Sequence, residues 1–307
     1  MKDDSTLTPL EVAEMLKITK NTVYELIKRG ELNGYKVGKK IRIDMKDVEE
    51  YKSSTKNNKP ENNPITRSQI SDSNTFIISG QDIMLDIMTR HLERYSKGFH
   101  ALRSYEGSYN GLYELYQGRV QIATAHLWDG DTGEYNVPYV KRMLPGVPAI
   151  IVHLAKRMQG FYIAKGNPKN IKDWEDFKRS DITIVNREKG SGTRVLLDEH
   201  LRKLGINPLS ISGYDKEYSS HLGIASAVSR GDADIGLGNE KSGLQVMDVD
   251  FIPLQQEKYE LIIKKEDLHK PNYQAILHVI NSKEFKMELQ GIGGYDLMEI
   301  GKIIAET

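Results

Sequence analysis

Cysteine is absent from the 307-residue chain, which removes disulfides, thiolate metal sites and cysteine nucleophiles from consideration. An excess of one charge is absent too. Lys plus Arg and Asp plus Glu both number 43, so no global field announces a nucleic acid. No apolar run approaches the ~20 residues of a membrane span, and Met1 to Leu10 is polar rather than a signal peptide. A cytoplasmic protein without membrane contact is the expectation. Also missing are a His/Cys/Asp cluster at metal-ligand spacing and a serine set in a nucleophile elbow. The Gly-Ser-Gly-Thr turn at 190–193 lacks the lysine of a nucleotide-binding phosphate loop. Neither an enzyme, a metal nor a cofactor is expected.

The neutrality is an average over uneven parts. From Lys17 to Arg42 the chain has eight basic residues against two acidic ones, Glu25 and Glu31. Residues 54–73 are rich in Asn, Ser, Lys and Pro and poor in large apolar groups, the composition of a linker. The expected organisation is a small module over 1–53, that linker, and a larger body over 74–307.

The small module is densely punctuated. Thr8-Pro9-Leu10-Glu11 has the pattern of a capping box with proline in the first turn, and Val12, Ala13 and Leu16 share one face of the helix it opens. Ile18 falls in a turn, and Thr19 caps a second helix with an apolar face of Val23, Leu26 and Ile27, ended by Gly30. Tyr35 to Ile43 alternates around Gly38 and reads as a hairpin, after which Asp44 opens a last helix through Val48 and Tyr51. Two helices joined by a short turn, then a basic hairpin, describe a winged helix-turn-helix.

In this pattern residues 6–52 resemble the excisionase/MerR-type DNA-binding module. The resemblance implies that the second helix enters the major groove of double-stranded DNA and that the wing meets its backbone. Lys20, Asn21, Thr22, Tyr24, Glu25 and Lys28 fall on the exposed face of that helix, and Lys39, Lys40 and Arg42 on the wing. The alternative is a winged helix that docks a protein.

The body alternates strands (74–79, 99–105, 120–125, 182–185, 233–237) with helices (84–95, 108–117, 193–204, 220–230), which argues for an α/β fold with largely parallel sheets. Such sheets bind ligands where strand ends meet helix starts. Each of those junctions carries glycine or a small hydroxyl: Ser79-Gly80, Gly107-Ser108, Gly190-Ser191-Gly192-Thr193-Arg194 and Ser219-Ser220, with Gly238-Asn239 closing the last strand. Glycine permits close backbone approach, and a helix start offers unpaired N–H groups at the positive end of its dipole.

The body resembles the type 2 periplasmic-binding-protein fold, and more closely its relatives fused to helix-turn-helix regulators and molybdopterin-biosynthesis proteins. The resembling segments run from Thr124-Ala125-His126-Leu127-Trp128-Asp129 and Gly133-Glu134-Tyr135-Asn136, through Gln159-Gly160, Gly166-Asn167-Pro168 and Asn186 to Arg194. They continue through Gly213-Tyr214, His221-Leu222 and Gly231 to Gly238, and end at Asp250-Phe251-Ile252-Pro253-Leu254. At the first junction the chain departs from the family's Gly-Cys-Asp and has Ser79-Gly80-Gln81-Asp82.

The resemblance implies two α/β lobes, about 74–157 with 255–307 and about 158–254, joined by two hinge crossovers. It also implies molybdate or tungstate as effector. A tetrahedral dianion can be held by hydroxyls and amides alone. The candidate ligand residues are Ser79, Gly80, Ser108, Ser191, Gly192, Thr193 and Arg194, with Ser220 and Asn239 behind them. Each hydroxyl has the alternative of capping its own helix, and Arg187 and Arg194 have that of pairing with Glu188 and Asp198. His126 and His221 are expected as buried, hydrogen-bonded histidines near the cleft, and Trp128 and Tyr135 as packing residues.

The expected function is a one-component transcription regulator in which oxyanion binding closes the lobes and alters how a dimer presents its DNA-binding modules to a two-fold operator. The alternatives are a sensor of another small anion or organic acid, and a molybdenum-handling component that does not bind DNA.

Overall fold

The computed structural model describes residues 6–29, 32–38, 40–56, 75–95 and 99–307. Its contacts divide the chain into two compact units, Met1–Gln69 and Ile70–Thr307.

The first unit contains β1 (Thr6–Leu7), α1 (Pro9–Leu16), α2 (Lys20–Lys28), β2 (Tyr35–Val37), β3 (Lys40–Asp44) and α3 (Met45–Lys56). The capping box forms: Thr8 Oγ1 accepts from Glu11 N at 3.3 Å, and the Glu11 carboxylate accepts from Thr8 N at 2.7 Å. Lys17 ends α1 in the left-handed region (φ 54°), and Thr19 caps α2 through Thr22 N at 3.2 Å. The antiparallel strands lie in the order β1-β3-β2. Val12, Ala13, Val23, Leu26, Leu32, Ile43 and Val48 form the core, with Leu16 and Ile27 partly buried against it. Full burial of one such aliphatic side chain stabilises by about 1.5–3 kcal/mol, which is how three short helices and a hairpin hold together. The expected end of α2 at Gly30 lies outside the described residues. Helix α3 runs past Tyr51 into the segment read as linker, whose remainder, 57–73, also lies outside them.

The second unit is mixed α/β. Its first lobe has β4 (Thr75–Ser79), α4 (Ile83–Tyr95), β5 (His100–Ser104), α5 (Ser108–Tyr116), β6 (Ile122–Ala125) and α6 (Val137–Met143). A long strand, β7 (Ala149–Ala164), leads to the second lobe: β8 (Ile184–Arg187), α7 (Gly192–Leu204), β9 (Glu217–Tyr218), α8 (His221–Ser229), β10 (Ile235–Asn239) and α9 (Glu240–Gly243). A second long strand, β11 (Val249–Lys264), returns to α10 (Pro271–Asn281), α11 (Lys283–Ile292) and β12 (Ile303–Glu306). The strand order is β5-β4-β6-β11-β7-β10-β8-β9, with β12 beside β7.

The expectation of largely parallel sheets holds only at the outside. Pairs β4/β5, β4/β6, β8/β10 and β8/β9 are parallel, whereas β6/β11, β11/β7, β7/β10 and β12/β7 are antiparallel. The cause lies in β7 and β11, which are 16 residues each and pair along their whole length while crossing between the lobes. Their charged interiors (Lys156, Arg157; Glu257, Lys258) break the apolar signature of a central strand. The ladder shifts register between Pro253 and Gln255, opposite Gly160 and Gln159.

Helices α4, α10 and α11 cover one face of the first lobe around Met84, Leu92, Ile276 and Phe285, while α5 and α6 cover the other around Leu112, Leu115 and Val140. In the second lobe, α7 packs on Phe161 and Ile235, and α8 on Tyr162 and Val185. The loop after β6 straps the lobes together. Trp128 and Tyr135 pack into the second lobe's core; Lys203 Nζ donates to Gly130 O (2.9 Å), and Arg202 pairs with Asp131 (2.7 Å). The Trp128 ring stacks on His200 (centroids 4.5 Å), whose other face stacks on Trp174 (3.9 Å). No helix among the described residues is long and apolar enough to cross a membrane.

Candidate functional site

A cleft of about 510 Å³ opens between the lobes of the second unit, where strand ends meet helix starts. The first lobe contributes Gly80, Gln81 and Asp82 after β4, Glu106 to Ser108 after β5, and Thr124 and His126 around the end of β6. The second contributes Arg187, Glu188 and Ser191 at and after the end of β8, Ser220 and His221 at α8, and Asn239 and Lys241 at and after the end of β10. Arg157 and Tyr259, from the crossing strands, complete the wall.

Of the residues expected to hold a ligand, Gly80, Ser108, Ser191, Ser220 and Asn239 line the cleft. The others stand behind it. Ser79 is fully buried with its hydroxyl against Gly111, and its carbonyl accepts from Thr124 Oγ1 (3.0 Å). Gly192 packs so tightly on His126 that a Cβ there would lie 2.6 Å from the ring. Thr193 is 1% exposed, and its Oγ1 has no hydrogen-bond partner among the described residues. Arg194 is a correction to the ligand set. It pairs with Asp198 and Glu217 (3.1 Å each), donates to Arg187 O (3.2 Å) and stacks on Tyr214 (4.2 Å). Its guanidinium ties α7 to the end of β8 and to β9.

The capping alternative is realised at the hydroxyls of Ser191 and Ser220, and Asn239 caps a helix through its amide oxygen. Ser191 Oγ accepts from Arg194 N (3.2 Å) and donates to Glu188 O (2.9 Å), so both roles of that hydroxyl are used inside the protein. Ser220 Oγ accepts from Gly223 N (3.0 Å), and Asn239 Oδ1 from Ser242 N (2.9 Å). Ser108 Oγ accepts from His126 N (3.2 Å). The hydroxyls of Ser108 and Ser220 therefore keep a proton to donate at the cleft wall.

Sequence reasoning missed the charged centre. Arg157 is ion-paired with Asp82 on one side and Glu257 on the other, and stacks on Tyr259 at 4.2 Å. Tyr295 OH donates to Asp82 Oδ1 (2.6 Å), and Gln159 Nε2 to Glu257 Oε2 (2.8 Å). His126 Nδ1 lies 2.6 Å from Glu257 Oε2, out of line for a straight hydrogen bond. Burial alone would raise the Glu257 carboxyl, but Arg157 and His126 beside it bring it down to about 2. Burial pushes the His221 imidazole well below its usual pKa, and Arg187, Arg157 and His126 push it further, so it is neutral near pH 7. The sequence signal for this centre was the polar interruption Lys156-Arg157 with Gln159 inside the mostly apolar run Ala149 to Ala164.

A second ionic group lies at the mouth. Arg187 grips Glu188 through Nε and Nη2 (2.8 Å each), and Gln81 reaches both from the opposite lobe. The lobes also touch through backbone: Tyr109 N donates to Gly190 O (2.9 Å), and Lys241 Nζ to Ile292 O (2.5 Å) and Gly293 O (3.0 Å). Among the described residues, no group of three or more His, Asp or Glu is placed to hold a metal ion.

The first unit has its own candidate surface. Lys20, Asn21, Thr22, Tyr24, Glu25 and Lys28 are exposed on α2, with the Lys20 ammonium 5.9 Å from the Tyr24 ring centre. Lys40 is exposed and Arg42 half-buried on β3, whereas Lys39 lies outside the described residues.

A model described as a PBP superfamily domain matches residues 89–281, and one described as a helix-turn-helix domain matches residues 6–56. The uncharacterized Bacillus subtilis (strain 168) protein YvgK is 43% identical over 314 residues, with 100% of both chains covered. Among solved structures, a phosphate ABC transporter substrate-binding protein from Clostridium perfringens with bound phosphate is similar at TM-score 0.53 and 17% identity, covering 72% of this chain and 98% of its own. An OxyR variant from Corynebacterium glutamicum bound to hydrogen peroxide is similar at TM-score 0.55 and 12% identity, covering 93% and 89%.

Proposed function

The chain belongs to the PBP superfamily and carries a helix-turn-helix domain ahead of that fold, and from this premise we propose a transcription regulator whose interlobe cleft takes a small anionic effector. The observation that carries the reading is the convergence of helix starts and hydroxyl donors, Ser108 and Ser220 foremost, on one cleft at the strand ends. The three cations lining it (Arg157, Arg187, Lys241) are matched by three carboxylates (Asp82, Glu106, Glu188), so an anion would be held chiefly by directed hydrogen bonds. Within that class a tetrahedral oxyanion such as molybdate or tungstate is our first choice. The similar fold with bound phosphate supports it.

One observation favours a second reading, a small organic acid. At about 510 Å³ the cleft falls in the size range of pockets for small organic ligands, about 300–1,000 Å³.

The ligand acts on transcription by preferring one lobe arrangement, and only its differential affinity for the two arrangements can shift the balance between them. A dimer on a two-fold DNA site, in the cytoplasm, is the simplest assembly that reads such a shift. Calorimetric titration with molybdate, tungstate, sulfate, phosphate and a set of carboxylates tests the ligand. Mobility-shift titration on DNA upstream of the protein's own gene, with and without that ligand, tests the output. Heat from none of the anions would overturn the effector class. Absence of DNA binding in either state would overturn the regulator.

A further inference from the structure

We propose that the Glu188 carboxylate is a built-in competitor for the anion this cleft takes, and that its displacement from Arg187 links binding to the lobe contact at Gln81. This rests on the anionic-effector reading above.

Arg187 lines the cleft, yet its side chain is only 1% exposed, with Glu188, Gln81 and the carbonyls of Tyr218 and Ser219 bonded to its guanidinium. Two parallel bonds, Nε to Oε2 and Nη2 to Oε1 at 2.8 Å each, form the fork in which a guanidinium grips a carboxylate or a tetrahedral oxyanion. The carbonyls of Tyr218 and Ser219 accept from the same two nitrogens at 3.2 Å, so the guanidinium keeps backbone partners whatever sits in the fork. Neighbouring residues in a strand point to opposite faces, and this pair can form only because β8 ends at Arg187 and the chain turns.

The two partners are not equally fixed. Glu188 is 26% exposed and can swing its carboxylate into water, whereas Arg187 is buried and cannot follow. The Glu188 backbone would stay, since its carbonyl accepts from Ser191 N (3.2 Å) and Ser191 Oγ (2.9 Å). Arg157 contrasts with this: its partners Asp82 and Glu257 are 8% and 1% exposed and have no such exit. Of the two cleft arginines, only Arg187 therefore holds an exchangeable anion. Leaving it unpaired would be costly, so an incoming anion takes the vacated place.

Gln81 makes the exchange a signal. From the first lobe, its Oε1 accepts from Arg187 Nη2 (2.5 Å) and its Nε2 donates to Glu188 Oε1 (3.1 Å) and to Tyr105 O (3.0 Å). An anion in the fork inherits the Gln81 amide donor, and the lobe contact then runs through the ligand.

The test is calorimetry on the full-length protein with molybdate, phosphate and malonate, for wild type, Glu188→Asp, Glu188→Gln and Glu106→Gln. Glu188→Asp keeps the charge but is one methylene too short to span the fork. Displacement predicts that Glu188→Asp and Glu188→Gln both bind the wild-type anion at least about ten-fold tighter, with less than about three-fold change in Glu106→Gln. A general field effect would tighten Glu188→Gln and Glu106→Gln alike and leave Glu188→Asp unchanged, which overturns the proposal. Weaker binding in both Glu188 variants also overturns it. If none of the anions binds any of the four proteins, the anionic-effector reading itself fails.

Discussion

Arg157 and Glu257 stand opposite one another in the β7/β11 ladder, 6% and 1% exposed, and their side chains form an ion pair at the wall of the cleft. Both long strands pass from lobe to lobe, so this pair sits where bending of the crossing strands would be felt. Removing one partner of a buried pair costs about 3–5 kcal/mol when it leaves an uncompensated charge; Arg157 keeps Asp82, so that figure is an upper bound here. Glu257→Gln is expected to lower stability by about 1–3 kcal/mol in urea denaturation, the cost of a broken buried charged hydrogen bond. A loss below about 0.5 kcal/mol, the level of an ordinary surface change, would show that the pair contributes little.

Acid should reveal the same group. The Glu257 carboxyl is lowered to about 2 from an ordinary 4.5. A depressed acid contributes stability that is fully present above its unfolded pKa and is lost as pH falls through the folded one. Wild type should therefore lose stability between about 4.5 and about 2 more steeply than Glu257→Gln. Parallel curves would refute the assignment.

His221 works in a different window. Its imidazole is held well below 6.5, so below that pH the unfolded chain binds a proton that the folded one refuses. Stability should fall as pH drops from about 6.5, and His221→Asn should flatten that slope in thermal melts taken from pH 7.5 to 5.

Gly107 offers a test of lobe closure that spares the fold of each lobe. Its φ of −67° suits any residue, but a Cβ there would lie 2.6 Å from Gly190 O and 2.8 Å from Ser191 N, both across the cleft. Gly107→Ala should leave the melting temperature nearly unchanged, enlarge the radius of gyration in solution scattering and weaken effector binding by about ten-fold or more. Unaltered scattering and affinity would mean that the lobes need not approach this closely.

On the first unit, Lys28→Ala and Lys40→Ala should each weaken DNA binding across all sequences and reduce the slope of log affinity against log salt by about 1. Slopes equal to that of wild type would remove those side chains from the phosphate contacts.

The legible parts of the chain were those whose partners are near in sequence. The Thr8–Glu11 box, the Thr19 cap and the Gly107, Ser191 and Ser220 junctions each close within a few residues, and each can be read directly from the residue types. Arg157 meets Asp82 across 75 residues, and Arg187 meets Gln81 across 106, so nothing local marks either pair. Arg194 misleads for the opposite reason. It follows a glycine-rich turn that invites a ligand role, but in the first turn of α7 its side chain is drawn to Asp198 and Glu217. The antiparallel centre of the sheet is hidden likewise, since charged residues in β7 and β11 mask two strands whose partners are each other.

The stack at the strap has an optical consequence. The chain has two tryptophans, and both lie against one imidazole: Trp174 beside His200 within the second lobe, Trp128 brought in from the first. All of the protein's indole emission therefore originates at a single joint. Sliding or parting of the lobes would alter one face of the sandwich and leave the other intact. Without any attached dye, ultraviolet-excited light from the native chain would report in real time how the two halves of the body move.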